Sequence, residues 1–80
     1  MTLRERYRRY YTAQGFVPYP TRSSKYIALE KPGSSLYIFL GKSGGVRRST
    51  TPAVSKSVSI QSEAFLFRLR QFETENGLQP

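Results

Sequence analysis

The chain contains no cysteine, no histidine and no aspartate in its 80 residues. Without cysteine there is no disulfide framework. Without cysteine or histidine the common zinc sites cannot be assembled within one chain. The usual catalytic triads, metal centres and carboxylate dyads are missing for the same reason. Glu5, Glu30, Glu63, Glu73 and Glu75 are the only acids, scattered, with three of them around the last expected helix. Ser55 and Lys56 are adjacent, but sequence adjacency defines no nucleophile geometry, and the six tyrosines have no histidine or metal cluster beside them. The expectation is a protein that is not an enzyme and holds no cofactor and no metal.

Long apolar runs are lacking too. The longest, Leu36 to Leu40, is far short of the roughly 20 residues that a helix needs to cross a bilayer. The N-terminus runs into RERYRRYY rather than an apolar segment, so no secretory leader is expected. A cytoplasmic location, or one where nucleic acid is handled such as a nucleoid, is the expectation.

Negative charge is the scarcest commodity. Thirteen Lys and Arg stand against five acids, a formal net charge of +8. Eleven of the thirteen lie in residues 1–58, against only Glu5 and Glu30, whereas residues 59–80 are near neutral. A basic excess confined to one part of a small chain favours an anionic partner on one side of the molecule.

Local signals divide the chain into a small single α+β domain, residues 1–80, ordered helix, three-stranded antiparallel sheet, helix. Thr2 and Glu5 form a T-x-x-E capping box for a helix over residues 3–14. Leu3, Tyr7, Tyr10, Tyr11 and Gln14 fall on one helical face, with Arg4, Arg6, Arg8 and Arg9 on the flanks and the other side. Gly15 stands where a left-handed stop is wanted, and Phe16 follows it. Pro18 and Pro20 make residues 16–24 an irregular connection, with Phe16, Val17 and Tyr19 packing down on the sheet and Arg22 and Lys25 in water.

Residues 25–49 read as three strands. Lys31-Pro32-Gly33-Ser34 suits a type II turn, and Gly41-Lys42-Ser43-Gly44-Gly45 supplies the second reversal. Leu36 to Leu40 is apolar throughout, as in a central strand covered on both faces. Residues 50–61 are rich in Ser and Thr and form either a loop or a loop leading into a short fourth strand, Ser57 to Ile60. Ser62 is the expected N-cap of a second helix over 62–75, with Phe65, Leu66, Leu69 and Phe72 on its buried face and Arg68 and Arg70 outward. Phe67 lies off that stripe. Asn76-Gly77 ends the helix, and 76–80 is a frayed tail. A chain this short has a thin stability margin, so pairing into a homodimer is compatible with it.

Gly41-Lys42-Ser43 is not a phosphate loop of the nucleotide-binding type. That motif needs glycine at position 36, which is Leu, and a helix afterwards, where a strand is expected. The candidate nucleic-acid contacts are Arg4, Arg6, Arg8 and Arg9 on the first helix, Lys42, Arg47 and Arg48 on the second turn and third strand, and Lys56 in the Ser/Thr-rich loop. These side chains bind phosphates and release counterions, and a short antiparallel sheet is a known way into a groove. Because successive strand residues point to opposite faces, only one of Arg47 and Arg48 looks outward from the sheet. Tyr26, Tyr37 and Phe39 align as one aromatic sheet face, which stacks unpaired bases when exposed. A chain of this length needs that area buried, so the expectation is core, with one helix on each side of the sheet.

The leading expectation is a small non-enzymatic nucleic-acid-binding protein, DNA ahead of RNA, whose cations converge on one side. The alternative is a protein-protein interaction module, for example a small accessory or inhibitory protein that meets an acidic protein surface through a basic face or a sheet edge. A membrane-surface role is disfavoured, because the apolar face of the first helix is rich in tyrosine rather than leucine.

Overall fold

The computed structural model describes residues 1–22, 24–52, 59–60 and 63–78, the side chains of 59–60 and 63–64 excepted. Its elements run α1 (Leu3–Ala13), β1 (Val17–Tyr19), β2 (Tyr26–Lys31), β3 (Leu36–Gly41), β4 (Val46–Ser49), β5 (Ser59–Ile60) and α2 (Glu63–Glu75). This is the expected helix–antiparallel sheet–helix order. The expected cap Ser62 and the loop positions 53–58, Lys56 among them, lie outside the described residues.

The helix ends follow their local chemistry. Thr2 Oγ1 accepts the Glu5 N–H at 3.2 Å, which satisfies one of the orphan donors of the first turn. At the other end Gly15 takes φ +99°. The Phe16 N–H then donates to the Tyr11 carbonyl and the Gly15 N–H to the Thr12 carbonyl, both at 3.1 Å, the paired bonds of a Schellman stop. The Phe16 ring stands edge-on to Tyr11 at 5.3 Å and supplies the apolar contact that closes this motif. α2 ends the same way, with Leu78 N–H on the Glu73 carbonyl at 2.8 Å and Gly77 N–H on Thr74 at 3.3 Å. Leu78, the residue after this stop, is half-buried.

The strands form an antiparallel meander in the order β1-β2-β3-β4-β5; four strands make its body, and the two-residue β5 lies along β4. β5 is the expected short fourth strand, seen at Ser59–Ile60. β1 is a correction, because 16–24 was expected to be irregular. Val17, Pro18 and Tyr19 pair with Glu30, Leu29 and Ala28. A proline is tolerated in an outermost strand, where its missing N–H need not serve a second neighbour. Val17 and Tyr19 thus lie within the sheet rather than packed down upon it.

Register and the two-residue period of a strand sort the side chains. Ile27 stands opposite Leu40, Leu29 opposite Ile38, and Lys31 opposite Leu36; Ile38 in turn faces Arg48 and Leu40 faces Val46. These residues share one face. There Leu29, Ile38, Leu40 and Val46 bury against Tyr7 and Tyr11 of α1, Phe16, and Leu69 of α2, with Leu3, Tyr10, Phe65 and Leu66 packed around them. Both helices therefore cover the same face, which overturns the expectation of one helix on each side.

Two features tie α1 into this core. Tyr11 is buried, its hydroxyl has no hydrogen-bond partner among the described residues, and burial pushes its pKa up to about 12. Gly44 sits in the β3–β4 turn at φ +92°, where the chain reverses through Lys42, Ser43 and Gly44 and closes with Gly41 N–H on the Gly45 carbonyl at 2.8 Å. Leu3 packs directly on it, so a Cβ added there would overlap the Leu3 Cγ and Cδ2 atoms.

Gly44→Ala is expected to lower unfolding free energy by about 2 kcal/mol, from left-handed strain and overlap together, in a urea titration. Leu3→Ala in the same background should return only the overlap part. Tyr11→Phe removes an unsatisfied hydroxyl and is expected to leave stability unchanged or raise it by about 1 kcal/mol. In the parent, the raised Tyr11 pKa makes its contribution full below pH 10 and lost as pH climbs from there through about 12. Alkaline denaturation should accordingly come later for the Phe variant.

Candidate functional site

The opposite face of the sheet carries no helix among the described residues. Tyr19 and Val17 from β1, Tyr26, Ala28 and Glu30 from β2, Tyr37, Phe39 and Gly41 from β3, and Arg47 and Ser49 from β4 alternate onto it. The expected alignment of Tyr26, Tyr37 and Phe39 is therefore present. Their fates differ, however. Phe39 is 1 % exposed, between Ala28 and Arg47 in register, whereas Tyr26 and Tyr37 are only half-buried. Tyr37 meets Tyr19 edge-on at 5.4 Å, and the Arg47 guanidinium lies 5.3 Å from the centre of the Tyr26 ring. Edge-on rings and a cation over a ring face are both favoured by the ring quadrupole.

One end of this face is strongly basic. Lys25, Tyr26, Gly41, Lys42, Ser43, Gly45 and Arg47 surround an open concavity of about 420 Å³. Register explains how they meet. The loop 32–35 sets Tyr26 opposite Gly41, which brings the start of β2 against the β3–β4 turn; Arg47 pairs with Phe39, two residues along β3 on the same face. Lys25 was assigned to water from sequence, and its neighbourhood with Lys42 is created by strand pairing. The turn expected over residues 31–34 would pair Tyr26 with Phe39; closure by Lys31 and Leu36 shifts the register by two and places Tyr26 opposite Gly41.

The candidate cations read from the sequence do not all converge. Lys42 and Arg47 belong to the basic end of the open face. Arg48, one residue on, belongs to the helix-covered face at an exposed position. Its positive charge is felt by Tyr11, whose hydroxyl it favours in the ionised form against the larger effect of burial. The helix arginines divide again. Arg6 makes a two-pronged pair with Glu73, Nε to Oε2 at 2.9 Å and Nη2 to Oε1 at 2.7 Å, and Arg9 Nη2 reaches Oε2 at 3.3 Å. Arg8 is exposed and Arg4 half-buried, both on the helix layer rather than on the open face. The expected single basic side is thus replaced by a basic end of one face and a separate arginine set on α1, two members of which are held by a carboxylate.

That carboxylate is buried, with 3 % of its side chain exposed. The Arg6 hydrogen bonds hold the Glu73 pKa below its ordinary 4.5, in spite of burial, which acts the other way. A proton is therefore bound more readily by the unfolded chain. The clamp's stabilisation is full above about pH 4.5 and declines as pH falls below it. Because the two arginines keep partial exposure, Glu73→Gln is expected to cost about 2 kcal/mol at pH 7 in urea unfolding, less than a fully buried pair would. At pH 3 the gap between parent and variant should narrow.

No group of three or more metal-ligating side chains and no helix long and apolar enough to cross a membrane occurs among the described residues. Compared with family models, curated proteins and solved structures, the chain matches none of them.

Proposed function

We propose that this is a small non-enzymatic nucleic-acid-binding protein that holds phosphates at the basic end of its open sheet face. The observation that carries the reading is the meeting of Lys25, Lys42 and Arg47 around the Gly41–Gly45 turn, beside Tyr26, in a chain of net charge +8. Three cations, one just before β2, one in the turn and one on β4, suit a run of phosphates, whose counterions they displace. Lys42 and Ser43 in the turn are exposed and open to an approaching phosphate, whereas Gly41 and Gly44 are buried. Arg4 on α1 adds to the long-range field but does not define the contact surface.

The test is fluorescence anisotropy with labelled DNA and RNA oligonucleotides at 50 and 200 mM salt. Affinity is expected to fall about 10-fold or more over that range. Lys42→Ala with Arg47→Ala should weaken binding by a similar factor and flatten the salt dependence, with a near-parental melting curve. Arg48→Ala, on the other face, should change affinity far less. Equal effects of Arg47→Ala and Arg48→Ala would remove the open face as the site. Absence of oligonucleotide binding, together with capture of an acidic protein surface, would favour the interaction-module reading instead.

A further inference from the structure

A second concavity adjoins the first. It has a volume of about 350 Å³ and lies at the edge of β2 just beyond the end of β1. Tyr19, Tyr26, Pro18 and Ile27 contribute to its walls, and Arg8 of α1 reaches its rim. Tyr26 lines both this groove and the basic concavity around Lys25, Lys42 and Arg47. One half-buried aromatic ring therefore divides a mostly apolar recess from a cationic one. The two recesses differ in chemistry in the way that a nucleobase differs from its phosphate.

We propose that the open face selects unpaired nucleotides, with a base seated against Tyr19 and Tyr26 in the edge groove and the adjoining phosphate at Lys25, Lys42 and Arg47. This rests on the nucleic-acid reading above and narrows it to single strands. A base locked in a duplex offers no π-face to a tyrosine, whereas an unpaired base stacks on one whatever its identity. The Arg47 guanidinium already occupies one side of the Tyr26 ring at 5.3 Å, so its remaining ring surface is the part available to a base. Tyr37, edge-on to Tyr19 at 5.4 Å, braces the groove from the sheet side. The Tyr26 and Tyr37 positions are four pairs apart along the β2–β3 ladder, about 13 Å at the usual rise per strand residue. The face thus has room for a short run of nucleotides rather than a long tract.

The experiment compares three ligands on the wild-type protein by anisotropy at 50 mM salt. They are a labelled 12-mer of thymidine, the same backbone with abasic sites throughout, and a 12-base-pair duplex; a 12-mer of uridine runs beside them to compare the two sugars. The thymidine strand is expected to bind at least 10-fold more tightly than the abasic strand and the duplex. Tyr26→Leu should bring it down to the abasic level and leave abasic binding within about twofold. Equal affinity for all three DNA ligands would overturn base seating while leaving phosphate binding intact. No binding to any ligand would overturn the nucleic-acid reading itself. Because the ligand comparison needs no variant, a folding defect in Tyr26→Leu would not rescue the proposal.

Discussion

A single buried carboxylate holds the two ends of the chain together. Glu73 in α2 accepts both prongs of the Arg6 guanidinium and a further contact from Arg9, linking α1 to α2 across 67 positions of sequence. Charge buried to this degree is costly unless every lone pair finds a donor, and the bidentate geometry meets that demand. Its neighbours complete the joint: Tyr10 of α1 stands edge-on to Phe72 of α2 at 5.3 Å, and Leu69, one turn before Glu73, is fully buried in the common core. With the helices fastened side by side, both must lie on the same face of the sheet. The other face is left with half-buried tyrosines and a guanidinium.

That arrangement divides the labour of the arginines. Arg6 and Arg9 serve the helix pair, so part of the positive charge that suggests an anionic partner is structural. Arg47 is placed differently. It lies over Tyr26 on the helix-free face and shares a concavity with Lys25 and Lys42. Arg48 cannot join it, because one step along a strand reverses the direction of the side chain. Net charge alone therefore overstates the size of the basic surface, and register determines which cations count toward it.

The meander topology has a further consequence. Each strand pairs with the strand next to it in sequence, so the open face is assembled largely from local pairings. The turn at Gly44 touches Leu3 at the start of α1, which couples the rim of the basic concavity to the helix layer. A change at this turn is felt on both sides of the sheet.

Much of this was legible from residues. The capping box at Thr2, the stops at Gly15 and Gly77, the Pro32-Gly33 reversal and the apolar run of β3 are local signals. Each depends on the φ preferences and hydrogen-bonding groups of a few neighbouring residues, so they located both helices and the three main strands. β1 was missed because two prolines normally argue against a strand, and only an outer position with a single neighbour removes the objection. Lys42 and Arg47 were recognised as candidates, but Lys25 and Tyr19 were not, since their roles come from cross-strand neighbours.

Sequence by itself determined the order of the two helices and the three main strands, the places where the chain turns, and the excess of positive charge, because these follow from short-range sterics and composition. Tertiary structure alone decided that both helices share one face, that Glu73 takes up Arg6 and Arg9, and that Tyr26 stands between a basic and an apolar recess. The physical reason is that such choices are made by contacts between residues far apart along the chain. Burial, pairing register and charge neutralisation settle them together, and no single stretch carries that information.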